Sequence, residues 1–264
     1  MIGGKDVANA SDVKTGESLL PGWVEQVIGP ASGDGVRLGV IDSGWDRRIR
    51  HPRVVPGMGF VKADAELALS STSDDHDRIG HGTACIDLAL RMAPDVQVTP
   101  LRVFGRRLET TPEILCEAIR VGMSLGLDVI NVSLGTTRQD ARKDLERVCA
   151  EAHHGGHIIV AAAGPGSMPA TLPNVLGVGS FEPPNPWVIH YNQFRFPHYA
   201  ALGRYQDLLL TSGRRVHADG TSFAAPIVSA LVALILENAR NATLDDIQSV
   251  LQTLASAAPD CGKR

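Results

Sequence analysis

The 264-residue chain carries a formal net charge of −4, with 20% charged and 44% hydrophobic residues, an ordinary balance for a globular enzyme. No basic stripe marks a nucleic-acid face, so that class of partner is excluded. A domain of this size buries about 75% of the surface its unfolded chain exposes, so its core needs no disulfide or metal staple.

Near the N-terminus no basic segment leads into an apolar run, so a secretory signal is not expected. Val36 to Ile41 is a short β-rich run ending at Asp42, and the following Arg47, Arg48, Arg50 and Arg53 read as a solvated loop. Ala84 to Met92 is an apolar helix, and Val96 to Phe104 is a strand after the Ala93-Pro94 break. Pro112 to Leu125 has helical spacing, with Thr111 as N-cap and proline at the first helical position. Val129 to Leu134 is a buried strand that stops at Gly135. Arg138 to His153 is an amphipathic helix closed by Gly155-Gly156, with His153-His154 at its end. His157 to Ala163 and Val175 to Val178 are further strands. Glu182 to Thr211, rich in proline, aromatics and histidine, reads as irregular loops that could include a β-hairpin. A long apolar helix then runs from Thr221 to Glu237, and its most apolar part, Ile227 to Leu236, is too short to span a bilayer.

Continuous apolar strands separated by helices predict a doubly wound α/β fold: a mainly parallel sheet with helices on both faces. Such sheets bind ligands beyond the carboxyl ends of their strands, and Asp42, Ser133 and Gly164 each follow a strand. With no linker or repeat, one domain is expected over residues 1–264, its core at about 22–255. Cys85, Cys116, Cys149 and Cys261 lie far apart without metal-ligand spacing. Three fall in apolar helical patterns, where a buried, reduced thiol is the ordinary state. A cytoplasmic setting is therefore expected, and the sequons at Asn131 and Asn241 are then coincidental.

Three short segments carry chemistry. Ile41-Asp42-Ser43-Gly44 puts a carboxylate at a strand end; His81-Gly82-Thr83 opens a helix; Gly220-Thr221-Ser222-Phe223-Ala224-Ala225-Pro226 leads into another. A serine hydroxyl is a poor nucleophile until an imidazole takes its proton. The imidazole in turn needs a buried carboxylate to fix its tautomer and stabilise its charged form. Singly, each segment has a plain structural reading as a turn, a helix entry or an N-cap. Together, in the order Asp, His, Ser and each in a fitting context, they are far more specific.

These segments resemble the three signature motifs of the subtilase (subtilisin-like) family, and the similarity covers roughly Gly22 to Ala255. Ile130 to Gly135 resembles the strand that lines the substrate backbone, and Val160 to Gly164 the strand opposite it. The resemblance implies Ser222 as nucleophile, His81 as general base and Asp42 as its orienting partner. It also implies the Ser222 N–H as one oxyanion donor, assisted by the Thr221 hydroxyl. Ser133, Leu134 and Gly135, with Ala162, Ala163 and Gly164, would wall the first specificity pocket, and the substrate would bind as an added strand.

The chain departs from the family at Pro165. Family members carry there an asparagine whose amide completes the oxyanion hole, whereas proline has neither a side-chain donor nor an N–H. Three accounts stay open: another side chain such as Asn192, His190 or Ser167 replaces the amide; the enzyme is slow and dedicated; or the protein binds peptides without cleaving them. The connection from Met92 to Val96 leaves no room for the family's calcium loop, so no structural calcium is expected. The short segment from Pro165 to Met168 is expected to open one wall of the pocket, and Arg106 and Arg107 to favour acidic residues upstream of the cleaved bond. No inhibitory pro-segment is expected before Asp42. These features together imply a cofactor-free intracellular serine endopeptidase acting on a specific peptide or protein, with a peptide-binding pseudoprotease as the alternative. No nucleic-acid or membrane partner is implied.

Overall fold

The computed structural model describes residues 20–62, 69–204 and 206–259. Eleven strands and six helices are seen among them. In chain order they begin α1 (Gly22–Ile28), β1 (Arg37–Asp42), β2 (Met58–Lys62), β3 (Leu69–Thr72), α2 (His81–Met92), β4 (Gln97–Arg102), α3 (Pro112–Ser124) and β5 (Val129–Val132). They continue with α4 (Arg142–His154), β6 (Ile158–Ala162), β7 (Val175–Phe181), β8 (His190–Tyr191), β9 (Tyr199–Leu202), β10 (Gln206–Leu209), β11 (Arg215–Ala218), α5 (Thr221–Asn238) and α6 (Leu244–Ala257).

Nine strands form one sheet in the order β3-β2-β4-β1-β5-β6-β7-β9-β8. The pairs from β2 through β9 are parallel, and only the outermost strands β3 and β8 run antiparallel. The doubly wound α/β expectation is therefore met. Because side chains alternate across a strand, β6 sends Ile158, Val160 and Ala162 into one core and Ile159 and Ala161 into the other. The first core holds α1, α2, α5 and α6; the second holds α3 and α4. Helix α5 is buried at every position from Phe223 to Leu236, which explains why its sequence is apolar all round rather than amphipathic.

β1 lies between β4 and β5, so the strand order reverses there. In open parallel sheets this reversal opens a crevice at the strands' carboxyl ends. Asp42 is the last residue of β1, and Ser133 and Ala163 directly follow β5 and β6.

The segment 182–211 holds the β8–β9 hairpin expected as a possibility, but β9 also extends the main sheet beside β7. β10 pairs with β11 in a separate two-stranded sheet. The arginine loop is solvated as expected, with Arg47, Arg48 and Arg50 exposed, but two of its arginines are tied to buried carboxylates. Arg47 makes a bidentate ion pair with Asp75, and Arg48 pairs with Asp46, both carboxylates being buried.

Candidate active site

Helix α2 begins at His81 because the residues before it supply what a helix start lacks. The first N–H groups of a helix have no internal partner. Buried Asp77 meets that need: its Oδ1 accepts from the Ile79 and Gly80 N–H, and its Oδ2 from the Thr83 N–H and hydroxyl. Gly82 then lets the helix press against the end of β1. A Cβ there would sit 2.4 Å from the Gly44 carbonyl oxygen and 2.7 Å from its nitrogen. Ser43 closes the joint, donating its N–H to Asp42 Oδ1 at 2.6 Å and accepting from the Gly82 N–H at 2.8 Å.

This joint aims the imidazole at the carboxylate. His81 Nδ1 lies 2.8 Å from both Asp42 oxygens, and Nε2 lies 2.8 Å from Ser222 Oγ. Asp42 is fully buried, whereas the His81 side chain keeps 15% exposure toward the crevice. With Nδ1–H donating to Asp42, the tautomer is set and Nε2 is left to accept the serine proton. Burial would lower the His81 pKa, but Cys85 and Asp42 outweigh it and the net shift is upward. The Cys85 thiol, one helical turn on, is pushed up to about 11 by its own burial. At neutral pH that thiol is uncharged, so Asp42 is the anion that holds the imidazole proton.

Ser222 is the second residue of α5, so its N–H has no partner within the helix and points out at a dipole end suited to negative charge. Thr221 precedes it at the helix start. Among the described residues, the one group of metal-capable side chains is Asp42, His81 and Cys85, already engaged with one another.

Parallel pairing of β5 with β6 brings Ser133–Gly135 and Ala162–Gly164 out side by side. Leu134 is half-buried and Gly135 exposed, whereas Ser133 turns its hydroxyl inward onto the Ser222 carbonyl at 3.0 Å. Gly164-Pro165-Gly166-Ser167 forms a tight turn closed by the Ser167 N–H on the Gly164 carbonyl. Pro165 is exposed, and Gly166 takes the left-handed conformation at φ 64°, the pairing of a type II turn. The expectation that this short segment opens a wall is overturned. Thr136 and Met168 exchange both backbone hydrogen bonds, at 2.9 and 2.8 Å, and pin the two walls together. A Cβ on Gly135 would lie only 2.0 Å from Ser167 Oγ.

Asn192 and His190 do not serve as the replacement amide: His190 lies in β8 and Asn192 directly after it, at the outer edge of the sheet and separated from β6 by β7 and β9. Beyond Leu134 and Gly135 opens a cavity of about 300 Å³ lined by Phe104, Leu108, Leu115 and Pro112, with Glu109 at its wall. Arg106 and Arg107 are exposed and do not line it.

Sequence reasoning missed Asp77, Cys85 and Asn131 as parts of the site. Asp77 had one available signal, a carboxylate four residues before a histidine that opens a helix.

The Subtilase family model matches residues 33–262. The chain is 29% identical over 238 residues to a thermophilic serine proteinase from Bacillus sp. (strain AK1), spanning 83% of this chain and 56% of that protein. It is 27% identical over 257 residues to subtilisin DY from Bacillus licheniformis, spanning 86% of each. Similar solved structures include a cold adapted subtilisin-like serine proteinase, with a TM-score of 0.69 and 23% identity over 84% of this chain and 83% of that one. Another is a lanthipeptide protease, at 0.66 and 22% over 91% and 87%.

Proposed function

This chain belongs to the subtilase family of subtilisin-like serine peptidases, and from that premise we propose that it is a serine endopeptidase dedicated to a narrow set of peptide or protein substrates. The observation that carries the reading is the unbroken chain of 2.8 Å contacts from Asp42 through His81 to Ser222. His81 Nε2 takes the Ser222 proton as Oγ attacks the scissile carbonyl, and Asp42 stabilises the imidazolium that forms. The same proton then passes from His81 to the leaving amine, and water repeats the sequence to release the acyl group.

The substrate lies as an added strand along Leu134 and Gly135. A side chain upstream of the cleaved bond lays an apolar stem beside Phe104 and Leu115 in the cavity, and Glu109 at its wall favours a basic tip over an acidic one. The residue at the cleaved bond itself is small, because Ser167 and the Thr136–Met168 bridge narrow the space between the two walls.

The oxyanion is held by the Ser222 N–H with help from Thr221, without the amide that Pro165 replaces, and turnover is correspondingly slow. That same feature favours the second reading, a protein that binds peptides in this cleft without cleaving them. The buried free thiols Cys85, Cys116 and Cys149 support an intracellular setting. Incubation with a diverse peptide library, read by mass spectrometry, tests the proposal. Discrete cuts after small residues that vanish in Ser222→Ala support it; an intact library with retained peptide binding supports the second reading instead.

A further inference from the structure

Pro226 stands four residues after Ser222 in α5. In a regular helix the residue at that spacing donates its N–H to the earlier carbonyl, but proline has none. The carbonyl of the nucleophile is thus deprived of its helical donor, and side chains from other elements take that place. Ser133 Oγ, just past β5, donates to it at 3.0 Å, and Cys85 Sγ from α2 approaches at 3.5 Å.

Ser133 is held in turn. Asn131 Nδ2, from inside β5, donates to Ser133 Oγ at 2.8 Å. Asn131 Oδ1 accepts from Ser229 Oγ at 3.0 Å, and Ser229 shares its one proton with the Ala225 carbonyl at the same distance. The chain of bonds leaves α5 at Ser229, crosses to β5 and returns to α5 at Ser222. Asn131 and Ser229 are fully buried and Ser133 is 5% exposed, so water does not compete for these groups. The polarity is fixed from one end. A carbonyl can only accept, so Ser133 must donate to Ser222, which leaves its oxygen to accept from the Asn131 amide N–H and turns Oδ1 toward Ser229.

We propose that Asn131, Ser133 and Ser229 are positioning residues that fix the nucleophile against His81, a reading that rests on the peptidase assignment. The relay matters more in this chain because Pro165 leaves the Ser222 N–H as the backbone donor for the oxyanion. An error in the placement of residue 222 therefore displaces the nucleophile and that donor together.

The test compares wild type with Ser133→Ala, Ser133→Thr, Asn131→Ala and Ser229→Ala. The readouts are the second-order rate constant for fluorophosphonate labelling, KM and kcat on a cleaved peptide, and crystal structures of wild type and Ser133→Ala. Ser133→Ala lowers the labelling rate and kcat about tenfold with KM nearly unchanged, and Ser133→Thr, which keeps the hydroxyl, restores most of the loss. In the Ser133→Ala crystal the Ser222 Oγ–His81 Nε2 contact opens beyond hydrogen-bond reach. Wild-type kinetics together with a contact still at the 2.8 Å seen here overturn the proposal. Should Asn131→Ala fail to fold, Ser229→Ala and Ser133→Ala carry the comparison. A folded wild type that is not labelled defeats the peptidase assignment, and the paired crystal structures alone then decide whether the relay holds residue 222.

Discussion

On the proposal that Pro165 stands in place of an amide that receives the oxyanion, Pro165→Asn supplies that side chain. The backbone tolerates the change: Pro165 is the second residue of an exposed turn closed by the Ser167 N–H on Gly164, and the left-handed position falls to Gly166. Loss of the proline ring frees the unfolded chain and costs about 0.4–1 kcal/mol of stability, too little to unfold a domain of this size. The full value of such a donor is about 10²–10³ in turnover, or ~2.7–4 kcal/mol, a magnitude whose reference case is subtilisin itself. A side chain introduced without its evolved surroundings reaches only part of that, so Pro165→Asn raises kcat by at least about tenfold with a smaller change in KM. The assay is steady-state cleavage of a peptide with a small residue at the scissile bond, run beside a thermal melt. A folded Pro165→Asn protein with wild-type or lower kcat refutes the argument that the missing amide limits the rate.

Activity rises with pH above 6.5, because the His81 pKa is raised from that ordinary value and the base works only when neutral. The sign for stability is opposite: the imidazolium–Asp42 pairing is fully present below about pH 6.5 and is lost as pH rises through the raised pKa. A pH–rate profile that is flat or falling over that range contradicts this. Asp77→Ala strips the start of α2 of a buried acceptor for four donors. It costs about 2–3 kcal/mol, seen as a melting midpoint lower by roughly 5–10 °C; a drop of less than about 2 °C in that melt refutes it. Calcium and its chelators leave the midpoint unchanged, since α2 ends at Met92 and β4 begins at Gln97 with no loop to hold the ion. A rise of several degrees on adding calcium counts against that reading.

The features legible in the sequence were those with a local signature. The continuous apolar strands, the helix from Pro112 with its Thr111 cap, and the three motif segments each follow from short-range pattern, and the structure brings Asp42, His81 and Ser222 together. Less legible were elements whose stability comes from packing. Helix α6 carries a capping box from Thr243 to Asp246, but its short apolar stripe shows its worth only against α1, α5 and β8. The run from Ser70 to Asp77 is rich in serine and aspartate, yet Asp75 and Asp77 are 1% exposed. Their burial depends on Arg47 and on the start of α2, partners distant in sequence or invisible to periodicity. Asn131 is the sharpest case: its place in a buried strand is legible from the apolar run, but the bond network that its side chain joins beneath the nucleophile is not.

The central claim is that Ser222 is a nucleophile activated by His81. Intact-protein mass spectrometry after treatment with a fluorophosphonate tests it directly, with peptide mapping of the adduct. The account predicts one adduct per chain, on Ser222, formed slowly by the wild type and absent from both Ser222→Ala and His81→Ala. No adduct in folded wild-type protein, or an adduct that persists in Ser222→Ala, contradicts it.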